Sequence, residues 1–343
     1  MIAAASDFPL VVAGVQSGLF RAVAAAGAGG VAPPELAARL GYREDQVRIW
    51  AETLYAIGIL DDAGGGRLCM APGYEALLVP GPPSHSLVPA ITVRGMFLGE
   101  QLRLAEDLRT GAERSMVQQP LTPEQLRGMV PSAHHQARVR LEHLYARLPI
   151  VAETLGAGAH VLEVGCRLGT QSMALAEAYP SATFVGIDQD ATTLTLGQEL
   201  VGESGLGDRV ELRLERAEKL ADEGAFDLAI MDIVLHEVHP SVRPAAVGAI
   251  HRALRPGGIL VSNDFHYPNH LAGFRAPEHA LAVFDQALEV SWGTRHLTQS
   301  QLEMLLSEAG FARAAFRPVE LPFPSLIRPG TPVWYLSTVA YKD

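Results

Sequence analysis

The stretch His160-Val-Leu-Glu-Val-Gly-Cys-Arg-Leu-Gly-Thr170 decides the fold of this chain. Three apolar residues surround Glu163, which reads as a short strand. Two glycines four apart follow, and then a helical pattern runs from Thr170 to Ala178. A second short strand, Ala182-Thr-Phe-Val-Gly-Ile-Asp188, ends on an acid nineteen residues after Gly169. A strand, Gly-rich turn, helix and strand bring a nucleotide-like ligand against the backbone. The terminal acid can accept hydrogen bonds from both ribose hydroxyls.

The pattern does not fit a dinucleotide. Counted from Gly165, the second and third glycine slots of Gly-x-Gly-x-x-Gly hold Arg167 and Thr170. The motif Glu163-x-Gly165-x-x-x-Gly169, with Asp188, resembles the first two motifs of class I S-adenosylmethionine (SAM) dependent methyltransferases. That resemblance implies SAM as cofactor, held by Glu163, Gly165, Gly169, Asp188, Gln189 and Asp232. Asp188 would bind the ribose and Gln189 would lie near the adenine. The family usually carries Gly where this chain has Arg167, so that side chain must point away from the ligand or contact it. After the third strand, in Glu215-Arg-Ala-Glu218, Arg216 takes the place of the usual acid.

Composition bounds the function. At 343 residues there is room for more than one core, and 48% hydrophobic with 19% charged residues excludes long disorder. A net charge of −11 argues against a broad nucleic-acid footprint. Two distant cysteines, Cys69 and Cys166, make no disulfide framework or metal knuckle, as expected in a reducing compartment. The N-terminus lacks a basic n-region, and no apolar run approaches the roughly twenty residues that cross a bilayer. The expectation is a soluble cytoplasmic protein with no membrane partner.

The first region shows helical periodicity over Val11–Ala26, Pro34–Leu40 and Glu44–Ile57. A hairpin follows, with Arg67–Met70 as its second strand. Three helices and a hairpin make a winged-helix pattern. Five arginines face eight acids over residues 1–80, and the would-be recognition helix carries Glu44, Asp45 and Glu52. Phosphate contact there is repulsive. The region resembles the segment that, in small-molecule O-methyltransferases, builds a homodimer and covers the substrate pocket.

The expected organisation is a winged-helix dimerisation domain (1–85), a helical connector (86–150) and a SAM-binding catalytic domain (151–343). Connector helices are expected over Gly99–Leu108 and Gln136–Val151; His134-His135, just before the second, cannot share a helix face. From Ala159 onward strands are expected at 160–164, 183–187, 209–214, 226–231, 258–263, 313–318 and 333–341. No helix separates the last two, so the final strand should enter antiparallel. The fold class is α/β, a Rossmann-like, mostly parallel seven-stranded sheet behind an α-helical winged-helix region.

In open α/β sheets the ligand lies beyond the carboxyl ends of the strands, where the segment Asp232–His239 leaves the fourth strand. Leu235-His-Glu237 is similar to the Leu-His-Asp stretch of the O-methyltransferases, in which the His is the general base. The resemblance implies that His236 takes the proton of a substrate hydroxyl, with the acids Glu237 and Asp264 orienting it. An imidazole with an ordinary pKa near about 6.5 can do this at neutral pH. The same His also serves to shape the pocket in other class I enzymes, and the Trp that usually follows is Val238 here. His239, His266 and His270 lie near the same edge but form no tight ligand motif, so no metal is expected. Trp292 is a candidate pocket wall or a core residue.

The expected function is SAM-dependent methylation of a small-molecule acceptor of secondary metabolism, most plausibly at oxygen. The same scaffold can methylate carbon or nitrogen, or run a cyclisation or rearrangement. A winged-helix DNA-binding regulator is the remaining alternative.

Overall fold

The computed structural model describes residues 2–79, 103–113, 122–324 and 332–343, and isolated positions between 87 and 98. The expected helix over 99–108 lies partly outside these residues. The chain divides into two compact units, Met1–Arg103 and Leu104–Asp343.

In the first unit, α1 (Ile2–Gln16), α2 (Leu19–Ala24), α3 (Pro33–Leu40) and α4 (Glu44–Ala56) precede an antiparallel hairpin of β1 (Leu60–Gly64) and β2 (Arg67–Met70), then α5 (Tyr74–Leu78). The single helix expected over 11–26 is broken at Gly18, whose φ of 74° ends one helix and starts the next. Phe20 meets Trp50 edge to face at 5.2 Å, and Leu36, Leu54 and Leu60 are fully buried beside them. This is a winged-helix-like arrangement. Its arginines on and beside α4 are engaged, Arg43 with Asp45 at 2.6 Å and Arg48 with Glu44.

The second unit opens with α6 (Leu104–Thr110), α7 (Pro123–Val139) and α8 (Pro149–Gly156). It continues β3 (His160–Val164), α9 (Thr170–Ala178), β4 (Thr183–Asp188), α10 (Ala191–Ser204), β5 (Val210–Leu214) and β6 (Phe226–Asp232). It closes with α11 (Arg243–Ala253), β7 (Leu254–Phe265), α12 (Ala280–Glu289), α13 (Gln299–Glu308), β8 (Arg313–Pro324) and β9 (Pro332–Tyr341).

The seven strands lie in the order β5-β4-β3-β6-β7-β9-β8, parallel except for β9, which runs antiparallel to both neighbours. The central strands β3 and β6 are covered on both faces by helices, which is why Val161-Leu162 and Leu228-Ala229-Ile230-Met231 read as unbroken apolar runs. The strand order reverses between β3 and β6, so the ligand crevice opens at their carboxyl ends.

The helix expected over 136–151 is not continuous. α7 passes into a π-turn at Arg140–Leu144 and a short 3-10 turn at Tyr145–Arg147 before Pro149 starts α8. The wider turn carries Arg140 and Tyr145 toward the sheet edge.

Candidate active site

The Gly-rich turn is shaped by backbone that only small residues take easily. Gly165 and Gly169 have φ of 71° and 68°, and a Cβ on Gly165 would lie 2.5 Å from Val234. Arg167 is also left-handed, with φ 49°. That explains the family's Gly there; a side chain at such a position costs about 1–2 kcal/mol. The Arg167 side chain is exposed, and its charge acts on the Glu237 carboxylate. Its N–H donates to Asp188 Oδ2 at 2.8 Å, while the Asp190 N–H donates to Oδ1 at 2.9 Å. Each Asp188 oxygen is thus fixed by one amide and keeps a lone pair for a hydroxyl. Gln189, next to it, is exposed, and Arg216 is turned onto Glu218 at 2.5 Å.

Glu163 is buried beneath the turn and accepts a hydrogen bond from the Ser172 hydroxyl. Burial outweighs that bond and pushes its carboxyl up to about 7. At the end of β6 both oxygens of Asp232 hold a donor. Tyr145 donates at 2.5 Å and Asn263 at 2.6 Å, and Ser337 donates to Asn263 at 2.6 Å. Burial raises the Asp232 carboxyl, against the nearby charge of Arg140. Arg140 also lies in the field of Glu163, Tyr145 and Tyr335. It is a buried cation beside Glu163 and Asp232 that sequence periodicity did not reveal. The next residue on β6's exit, Ile233, is left-handed with φ 58°, a strained state for a β-branched side chain.

A second cluster is built around His236, which is 2% exposed. Its Nδ1 lies 2.7 Å from Asp264 Oδ1, and its own N–H donates to Oδ2 at 3.2 Å. Burial disfavours the imidazolium, but the charge and hydrogen bond of Asp264 outweigh it and lift His236 to about 10. Asp264 is buried yet held below its ordinary value by His236 and by the Phe265 N–H. Of the two acids named from the sequence, Asp264 is the one that binds the imidazole. Glu237 is exposed, and among the described residues its side chain makes no hydrogen bond. The Arg243 guanidinium donates to the carbonyls of His236, Val238 and Arg295, at 3.2, 2.9 and 2.8 Å, and so ties the loop after β6 to the segment before α13. Burial pulls its pKa down to about 10.

A second imidazole, unforeseen in the sequence, completes the cluster. His296 stacks on His236 with ring centres 4.4 Å apart, and its Nε2 lies 3.2 Å from Asp285 Oδ2. Asp285 is also 3.9 Å from His236 Nε2. Glu289 is buried on the same side, receives the Thr294 hydroxyl, and is pushed by burial up to about 7. His296 sits just ahead of the Thr298–Gln301 capping box of α13, sixty residues beyond His236 in sequence, so no local spacing could have paired them. The histidines read from the sequence do not converge. His239 meets Ser241 and Glu113, His266 meets His279, and His270 is exposed. Trp292 is half-buried in a short turn.

Comparison with known proteins agrees with this frame. A family model described as a methyltransferase domain matches residues 161–258. An uncharacterised methyltransferase of Synechocystis is 29% identical over 178 residues, covering 50% of this chain and 74% of that protein. A 3-hydroxy-5-methyl-1-naphthoate 3-O-methyltransferase of Streptomyces sahachiroi is 24% identical over 309 residues, 88% of this chain and 84% of its own. An O-methyltransferase from neocarzinostatin biosynthesis, solved with SAM and 2-hydroxy-5-methyl naphthoic acid, shares the fold at a TM-score of 0.71. It is 18% identical and is matched over 97% of this chain and 95% of its own.

Residues 161–258 match a methyltransferase domain, and the fold and Gly-rich turn around them are similar to those of the class I SAM-dependent methyltransferases. Within that class the chain resembles the small-molecule O-methyltransferases that carry an N-terminal helical extension before the Rossmann-like sheet.

Proposed function

We propose that the chain transfers the SAM methyl group to an oxygen of a small-molecule acceptor, with His236 accepting the acceptor's proton. The observation that carries this reading is the buried His236–Asp264 pair, 2.7 Å apart, at the carboxyl edge of the sheet beside the Gly-rich turn. The cofactor's residues are in keeping with SAM. Asp188 suits the ribose hydroxyls, and the turn at Gly165–Gly169 admits a ligand that a Cβ would exclude. Arg140 would meet a carboxylate and Glu163 an ammonium group, each by its charge at that end of the sheet. When bound, SAM supplies an electrophilic methyl group on a sulfonium.

Asp264 occupies Nδ1 of His236, so Nε2 is the nitrogen left for the acceptor. The Asp264 charge that lifts His236 makes its neutral ring the stronger base, so the form able to accept the hydroxyl proton is increasingly populated as pH rises, and turnover should climb with pH. Asp264 fixes ring orientation, and Arg243 holds the loop that presents it. We further propose that residues 1–85 form a dimerisation domain, 86–150 a connector and 151–343 the catalytic domain of a cytoplasmic homodimer that binds no nucleic acid.

A second reading is methylation at carbon or nitrogen, or a cyclisation; the second imidazole, His296, favours it, because simple O-transfer needs only one. Incubation with methyl-labelled SAM and a panel of hydroxylated aromatic acceptors tests both. Label recovered as a methyl ether supports O-transfer. SAM consumed with no label on any oxygen removes it.

A further inference from the structure

The two stacked imidazoles leave an arrangement that acid–base chemistry alone does not account for. The Nε2 of His296 faces Asp285 at 3.2 Å, and an N–H there leaves Nδ1 with a lone pair. That Nδ1 is buried and, among the described residues, has no hydrogen-bond partner, and the side chain is 1% exposed. It lies 3.9 Å from Asp264 Oδ1, so a lone pair and a carboxylate oxygen are close neighbours inside the protein. Such an arrangement is unfavourable unless a proton or a metal cation is shared between them.

His236 brings a third donor to the same point. Its Nδ1 lies 2.7 Å from Asp264 Oδ1, and one donor atom each from His236, Asp264 and His296 fall within 4.8 Å of one another. Ligands of a zinc-type ion lie about 2.0–2.2 Å from it, so two of them are separated by about 3–4 Å. The His296 distance already falls in that range, and the His236 distance needs only a few tenths of an ångström. Metal-bound histidines usually donate their other ring N–H to a carboxylate, the role Asp285 has toward His296.

We propose that His236, His296 and Asp264 bind a divalent transition-metal ion, Zn²⁺ or Fe²⁺, as a two-histidine, one-carboxylate centre. Three protein ligands leave positions open for an oxygen of the acceptor, which a dication makes more acidic. This rests on the reading of the cluster as the acceptor end of the site. It goes beyond that reading by giving the activation of the oxygen to the ion.

The full-length protein, stripped with EDTA and desalted, is titrated with Zn²⁺ and separately with Co²⁺. The expected result is one tightly held ion per chain by elemental analysis, a raised melting temperature, and visible Co²⁺ bands of a nitrogen-ligated site. His296→Ala and Asp264→Ala should weaken binding at least about tenfold, with SAM affinity by calorimetry reporting that each variant is folded. Metal retained at wild-type affinity by His296→Ala, or no stoichiometric binding by the wild type, overturns the proposal. Full methyl transfer by the stripped enzyme overturns the ion's role and leaves His236 as base. Loss of SAM binding in the wild type would instead count against the methyltransferase reading itself.

Discussion

Glu163 ties the Gly-rich turn to pH. Its carboxyl is raised from 4.5 to about 7 in the fold, so the protonated acid is the form the native state favours. The resulting stability is complete below about 4.5 and is lost as pH rises toward about 7, because the native state then holds a proton that the unfolded chain has released. An ammonium group beside Glu163 favours the carboxylate. SAM affinity should therefore rise between pH 6 and 8 by up to about tenfold, and Glu163→Gln should flatten the profile by calorimetry. Arg167→Gly should relieve the left-handed strain and raise stability by up to about 1 kcal/mol in urea unfolding, since Gly takes this backbone without penalty. His236→Ala should lower turnover by about 10²–10⁴-fold while SAM affinity stays at its wild-type value; unchanged turnover removes the base assignment. At this scale the positions of the glycines, Asp188, His236 and Asp264 along the sheet's carboxyl edge were legible, because each lies at or just beyond a strand that the apolar pattern marks. His296 and Arg140 were not. Their roles come from side chains that meet across the fold, which no spacing along the chain encodes.

Among the elements, α7 shows what packing adds to pattern. Its start is fixed by a capping box between Thr122 and Gln125, and its inner face is held by Leu126 against Leu168 and Leu196. Arg127 reaches Glu199 on α10 at 2.6 Å, but that pair is half-exposed and contributes little. The apolar contact decides the docking. Leu126→Ala should cost about 2–3 kcal/mol in chemical unfolding and weaken SAM binding, whereas Arg127→Ala should cost less than about 1 kcal/mol. The strands were readable as apolar runs bounded by turn residues. The π-turn at Arg140–Leu144 was not, because the apolar pattern that marks a helix does not distinguish i→i+5 from i→i+4 bonding over a single turn. The break at Gly18 was hidden for a related reason, as apolar residues continue at helical spacing on both sides of it.

Across the whole molecule, charge separates the readings. With a net charge of −11 and the arginines on and beside α4 paired to neighbouring acids, duplex DNA should show no gel shift even at low salt. A salt-sensitive complex would revive the regulator reading. Sedimentation should give twice the 36.7 kDa of one chain if the N-terminal unit dimerises. The α/β class and the antiparallel last strand followed from the alternation of elements and from the missing helix before β9.

That last strand has a consequence for how the protein is made. Among the described residues β8 pairs only with β9, and β9 lies between β7 and β8 although it follows both in the chain. Until β9 has been made, β7 keeps a bare edge and β8 stays without a neighbouring strand. Ser337, which steadies Asn263 and through it Asp232, arrives in that same strand. A chain lacking β9 would thus carry two open strand edges and an unsupported Asp232, a species prone to aggregate rather than one merely less active.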